Sequence, residues 1–406
     1  MTVKKRFLIL TCLGIFIVPL SSIYPVGPEL WYPQFLALFS FFSIGIIMAI
    51  WDTSKGLALM NIVALFSVIF VSDHSPRGII LFVQFLLSCF SIHIISKINR
   101  KYFKWIIFSI IGIFIIQSLW ATLQHFNLDP IFDLKKDITK DDTVGFSGSH
   151  NQLGVFFAST GPLVLFYSPF LFPLTLWGLW CSTTSTAWVA YILSSSLMIT
   201  HFTDKWVCLI IILLILTAST AFFIKVEKLS SESFRERREI AINSIKAVIN
   251  GHIVMRVKQF PQNFNSDIDS PILIKPIKCH PFFGFGFGNF IRISPHTQKP
   301  YLVIPGEKEK HHHVYEHAHN DIVEWVFETG YVGAAALFLA FIEFIWAFVV
   351  ANKTKILMMA FFCIFSHFIT SLGVYAVHTA VSGIFLIIWL GLFWGEIKHE
   401  PKTGLV

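Results

Sequence analysis

Apolar runs long enough to form membrane helices recur along almost the whole chain. A span needs about 20 mostly apolar residues. Such runs open near Phe7, Leu30, Gly56, Gly78, Tyr102, Asn151, Pro169, Thr184, Lys205, Gly330, Lys355 and Thr379. The pattern predicts an all-α, multi-pass transmembrane helical bundle of about twelve helices. The run from Pro169 to Cys181 is short and carries Pro173, so it reads either as a span or as a re-entrant segment. The runs divide the chain into residues 1–224 (amino-terminal helices), a polar region over 225–329, and 330–406 (carboxy-terminal helices).

Composition fixes the solvent. Of the 406 residues, 55% are hydrophobic and only 14% charged, more apolar surface than a water-soluble domain of this size can hide. The net charge of +7 does not point to nucleic acid, because much of the excess sits at the ends of apolar runs, where the positive-inside bias accounts for it. With the amino terminus inside, the inner loops are Asp52–Lys55, Lys97–Lys104, the turn near Ser168, His201–Lys205, Asn352–Lys355 and the tail Lys398–Lys402. Phe126–Gly148 and Lys225–Thr329 then face outward, and the second is long enough to be exempt from the charge rule. Lys4-Lys5-Arg6 precede the first apolar run and no small-residue cleavage site follows it, which predicts an uncleaved first span. The six cysteines show neither a disulfide framework nor a CxxC metal motif.

The outward region opens with Ser233–Ile249, where Ala241, Ile245, Val248 and Ile249 recur at helical spacing; this predicts an amphipathic helix lying on the membrane or on the bundle. Arg235, Arg237 and Arg238 stand in its first turns. Guanidinium groups stay charged and match phosphate oxygens bidentately, so these are the strongest anion handles outside the membrane, whether for a substrate phosphate or for lipid head groups. Gly251–Lys278, with Pro261, Pro271 and Pro276, reads as an irregular insert. Gly284, Gly286 and Gly288 follow in HPFFGFGFGNF; no apolar strand precedes them, so they predict a tight turn that packs close to other backbone, not a nucleotide loop.

Chemistry concentrates in His311–Gly333, HHHVYEHAHNDIVEWVFETGYVG, directly before an apolar run. His319 is the candidate general base, since an unperturbed imidazole titrates near pH 6.5 and accepts a hydroxyl proton at neutral pH; an interfacial histidine is the plainer reading. Asp321, Glu324 and Glu328 share one helix face and could orient His319 or bind an acceptor sugar. Equally, Asn320 or Asp321 suits an N-cap and Glu324 the far side of a capping box. His311, His312, His313, His317 and His319 lack the regular spacing of a formed metal site, so neither metal nor other cofactor is expected. Upstream, GFSGSHNQLG makes a polar lead-in to another span, with Asn151 as its candidate cap.

Taken in order, these pieces resemble the O-antigen ligase and polymerase superfamily. His319-Asn320, nine residues, then Gly330 and Gly333 are similar to its histidine motif; HPFFGFGFGNF is similar to its glycine turn before the histidine loop. GFSGSHNQLG and an arginine followed by an amphipathic helix are further shared features. The resemblance runs from about Gly145 to the carboxyl end.

That resemblance implies a bacterial inner-membrane glycosyltransferase with its site in a large periplasmic loop. Such enzymes move glycan from an undecaprenyl pyrophosphate carrier to an acceptor hydroxyl without metal or nucleotide. The acceptor is a lipid A core sugar for a ligase, another repeat unit for a polymerase, or a protein hydroxyl for an oligosaccharyltransferase. His319 would take the acceptor proton, one of Arg235, Arg237 and Arg238 would hold the pyrophosphate, and His317, Asn320 and Glu324 would contact substrate. The chain departs from the family at Thr184-Ser185-Thr186-Ala187-Trp188, where members carry a Ser-Arg pair, and in the insert Gly251–Lys278. A transporter or flippase for an anionic lipid or sugar is the alternative of another class. Transporters place polar groups at the midplane of broken helices, whereas here they collect at the outer edge.

Overall fold

The computed structural model describes residues 54–70, 76–129, 143–147, 149–199, 215, 217, 231–257, 272–290, 293, 320–374 and 380–399. The fold is predominantly helical, with ten α-helices and one β-hairpin among the described residues. Two compact units divide the chain: the first comprises Met1–Thr53, Leu86–Ser231 and Glu343–Val406, the second Ser54–Phe85 and Glu232–Ile342. The expected spans near Phe7, Leu30 and Lys205 lie outside the described residues. Among the described residues, two helical stretches, Arg100–His125 and Asp321–Val350, are long and apolar enough to cross a membrane.

The first unit is built around α4 (His150–Tyr167), which is buried from Gln152 through Leu165. A helix apolar on every side belongs at the centre of a bundle. Around it stand the end of α2 (Pro76–Ser96), α3 (Phe103–His125), α5 (Phe172–Ser182), α6 (Ser185–Ile199), the last residues of α8 (Asp321–Val350), α9 (Lys355–Ser371) and α10 (Ala380–Lys398). The segment from Pro169 resolves as a 3-10 turn followed by the 11-residue α5. At about 1.5 Å per residue α5 is short for a span. It nevertheless returns the chain to the start of α4, where the Thr184 hydroxyl donates to the His150 carbonyl at 3.1 Å. The segment therefore runs back along α4 to its first turn.

Buried polar clamps fix both ends of this unit. At one end the Glu396 carboxylate, its side chain 1% exposed, lies 2.8 Å from Arg100 Nε and accepts from the Thr354 hydroxyl at 2.6 Å. Lys398 reaches Ser96 and His399 reaches the Ile98 carbonyl. This gathers Lys97–Lys104, Asn352–Lys355 and the end of α10, three of the loops that the charge pattern assigns to one side. At the other end Gln117 and Gln124 of α3, both buried, act as surrogate backbone. Gln117 Oε1 accepts from Phe146 N (3.2 Å), and Gln124 Oε1 accepts from Val144 N (3.1 Å) and Gly145 N (2.6 Å). The Ser149 hydroxyl caps α4 by accepting from Gln152 N, so Asn151 sits inside the helix and is not its cap.

In the second unit, α1 (Lys55–Phe70), the start of α2, α7 (Ser231–Asn250), the hairpin and α8 as far as Ile342 come together. The stretch expected to be an irregular insert contains an antiparallel hairpin, β1 (His252–Val257) with β2 (Ile272–Lys278). Pro276 is accommodated by a change of register: Ile253 pairs with Ile277 and Met255 with Ile274, so two residues of β2 oppose one of β1. A bulge removes the need for the ladder hydrogen bond that proline cannot give. Residues Phe260–Pro271, with Pro261, lie outside the described residues.

The expected helix is present as α7, and the row Ala241, Ile245, Val248 and Ile249 divides between two of its faces. Ile240, Ser244, Ala247 and Val248 are buried and Ala241 is half-buried, while Ile245 and Ile249 point outward. The helix carries two apolar rows, and periodicity merged them. Helix α8 starts earlier than the apolar run from Gly330 suggests: it begins at Asp321 and breaks at Gly330 (φ 66°, ψ −157°), giving 321–329 and 331–350.

The Arg100–Glu396 pair supplies a stability test. Arg100→Ala leaves a buried carboxylate without its cation; because Arg100 is half-exposed we expect about 1–3 kcal/mol of destabilisation, less than for a fully buried pair. Thermal unfolding in detergent should show Arg100→Ala melting below wild type and the Arg100→Ala/Glu396→Gln double variant recovering part of the loss.

Candidate functional site

The site is organised by the break in α8. Interrupting a helix frees carbonyls on one side and N–H groups on the other, and buried backbone groups must find partners. The glycine turn provides all four observed here. Phe285 N and Gly286 N donate to the carbonyls of Phe327 and Glu328, both at 3.0 Å; Tyr331 N and Val332 N donate to those of Pro281 and Phe282, both at 3.1 Å. The turn thus lies across the break as a splint.

Glycine is required because the backbones nearly touch. A Cβ on Gly284 would stand 2.5 Å from the Phe327 carbonyl oxygen, and one on Gly330 2.5 Å from Gly284 N; both residues also have positive φ. The tight turn expected from the sequence is therefore present, and its partner is the helix break.

Two further side chains tie the splint down. Ser67 Oγ of α1 lies 2.9 Å from the Glu328 carbonyl and 3.2 Å from that of Phe283, and it accepts from Phe287 N at 3.0 Å. The buried Glu328 carboxylate accepts from Phe290 N at 2.9 Å. Aromatic rings fill both sides. Phe285 stacks on Phe327 (centroids 4.5 Å apart), within a core shared with Ile240, Val248 and Val323, whereas Phe287 packs edge-on against Trp325 (5.8 Å) beside Ala64 and Leu81. One core thereby joins the arginine-bearing helix α7, the glycine turn and the first turns of α8.

The start of α8 is capped by Asn320, whose Oδ1 accepts from Ile322 N and Val323 N, both at 3.1 Å. Asn320 rather than Asp321 is the cap, so the third helical position is Val323. Glu324 falls one place beyond it and does not complete a capping box. Its burial (3% exposed) thus has another cause than capping. Asp321 and Glu328 are buried with it, putting three carboxylates of one helix face in the interior. The helix N-terminus favours negative charge at the first two.

His319 is joined directly to this cap, but His317 and His319, with His311–His313, lie outside the described residues. For Arg235 and Arg237 the structure describes the backbone alone; Arg238 is exposed. Helical register puts positions 235 and 238 in one row and 237 in the row of Ile240 and Ser244. At Thr184-Ser185, where the superfamily that the sequence resembles carries a Ser-Arg pair, Thr184 binds the His150 carbonyl, and no cation occurs in α6.

Sequence reasoning did not single out Ser67 or Asn289. Ser67 is a lone hydroxyl in an apolar run, the only local signal it carries. Asn289 is buried; its Nδ2 donates to the Phe285 carbonyl at 3.0 Å, and its Oδ1 has no partner among the described residues. Beside the turn, burial pushes the Cys279 thiol up to about 12. No protein-family model matches the chain, and no curated protein matches it.

Ser67→Ala and Glu328→Ala each strand a buried N–H, of Phe287 and Phe290 respectively. Each should cost about 1–3 kcal/mol, read as a lowered melting temperature. Cys279 gives a local readout. With its thiol raised, alkylation at pH 8 should run on the order of a thousandfold slower than at an unperturbed cysteine. Its rate should climb as pH rises towards 12, and both variants should accelerate it at fixed pH.

Proposed function

We propose that the protein is a membrane glycosyltransferase of the O-antigen ligase type, a bundle of about twelve spans in a bacterial inner membrane with its site on the periplasmic face. The donor is a glycan on undecaprenyl pyrophosphate, and the acceptor is a hydroxyl, foremost that of a lipid A core sugar. His319 removes the acceptor proton as the oxygen attacks the anomeric carbon; the bond from that carbon to the pyrophosphate oxygen breaks, and the lipid pyrophosphate departs. A pyrophosphate held by arginine is a stable leaving group, so one base and one cation clamp suffice without metal. Polymerase and protein oligosaccharyltransferase activities use the same chemistry with other acceptors.

One observation carries this reading: a single core packs the arginine-bearing helix against the helix whose capped first turn follows His319. The cap fixes where the chain leaves residue 319, and register places 235 and 238 on a shared row of α7. Arg235, Arg237 and Arg238 are the candidate pyrophosphate ligands, 237 in the row of α7 that faces this core and 235 and 238 in another. His317, Asn320 and Glu324 are retained as substrate contacts around the acceptor.

The transporter alternative draws on the break in α8, since broken helices hold ions and substrates in many transporters. Here, however, Phe327 O, Glu328 O, Tyr331 N and Val332 N are all engaged by the glycine turn. A break whose groups are already satisfied serves the fold better than a ligand, which favours the enzyme.

The test is reconstituted transfer: purified protein, undecaprenyl-pyrophosphate glycan, and lipid A core or no added acceptor, in the absence of metal. His319→Ala should lower turnover by about 10²–10⁴-fold without altering melting temperature. Transfer at the wild-type rate by a folded His319→Ala protein overturns the mechanism, and glycan growth without added core makes the enzyme a polymerase.

A further inference from the structure

Helix α7 has more apolar surface than its core contact uses. Its inward row is spent on the core with Phe285 and Phe327. On the opposite side Ile242, Ile245 and Ile249 remain 38%, 42% and 60% exposed at spacings of three and four, a second row about 10 Å long. Arg238 stands one turn before that row and Lys246 beside it, and both are exposed. Among the described residues, the core formed with Phe285 and Phe327 does not include this row.

We propose that this outward face of α7 lies in the surface of a phospholipid bilayer, the three isoleucines among the upper acyl chains and the two cations at the head-group phosphates. An apolar row flanked by cations on an otherwise polar helix is the pattern of a helix lying in the interface plane. Long basic side chains reach from such a row to the phosphates while their stems stay in the apolar layer. A second copy of the chain fits the row poorly. The exposures of the three isoleucines add to less than two whole residues, far below the roughly 800 Å² per partner that a stable interface buries. The proposal rests on the membrane placement above and is independent of the transfer chemistry. Its consequence is a fixed depth for Arg238, held at the level of lipid phosphates by the row that follows it.

The experiment uses the full chain in nanodiscs of phosphatidylcholine and phosphatidylglycerol. Ile245→Cys and Ile249→Cys, each labelled with an environment-sensitive fluorophore, are compared with Asn250→Cys on a neighbouring face; unsubstituted protein taken through the same labelling supplies the background. Melting temperatures and co-elution with discs confirm folding of each variant. We expect several-fold stronger quenching at 245 and 249 by a lipid bearing a shallow nitroxide than by aqueous iodide, with the order reversed at 250. Labels at 245 and 249 that iodide quenches as readily as the label at 250 overturn the proposal. So does quenching between labelled copies that appears only with two proteins per disc, which assigns the row to a self-contact. Failure of the unsubstituted protein to enter discs overturns the membrane placement itself, so the two ideas fail separately.

Discussion

A helix that stops must give its backbone groups to something else, and the second unit is arranged around meeting that demand at Gly330. The four groups freed there are taken up by residues 281–286, reached through a hairpin from α7. Because the partners are backbone, the segments must approach more closely than any side chain allows, which accounts for glycine at 284 and 330 together. Ser67 and the Glu328 carboxylate then satisfy the N–H groups that the turn itself leaves over. Each hydrogen bond contributes little by itself, but leaving any one unmade in the interior costs more than making it gains. The turn, the break and the two clamps therefore stand or fall as a set.

That set joins fold to function. A rigid break holds the short helix 321–329 at a fixed angle to the run that follows, and the Asn320 cap fixes how the chain enters it. The residue proposed as base is the one immediately before the cap. Precision at such a position comes from supporting groups that do no chemistry. Buried carboxylates at 321, 324 and 328 make the helix more polar inside than its apolar continuation. Of these, Glu328 ties the glycine turn to α8 by accepting from Phe290 N.

Much of this was legible in the sequence. Hydrophobic run length located helices at Lys55, Pro76, Phe103, His150, Ser185, Lys355 and Ala380 to within a few residues, since length and apolarity are local properties. Glycine spacing announced a tight turn. What escaped depended on distant partners. The cap passed from Asn151 to Ser149 because both residue types accept hydrogen bonds, and only the path of the chain decides between them. The hairpin was hidden by Pro276, whose bulge depends on a register set with β1. The two apolar rows of α7 were read as one because helical spacing does not say which partner lies against which face. Ser67 could not be read at all, since its importance lies in residues more than two hundred positions away.

Gln124 carries a consequence of another kind. Its Oε1 holds Val144 and Gly145 while its Nε2 donates to Asp129 at 2.8 Å, so one side chain pins both flanks of residues 130–142. The ends of that segment are fixed to each other by α3, whatever its length. Extending a chain between pinned ends is cheap, about 0.6 kcal/mol for each doubling. An insertion between Asp129 and Thr143 is therefore expected to leave α3 and α4 in their places.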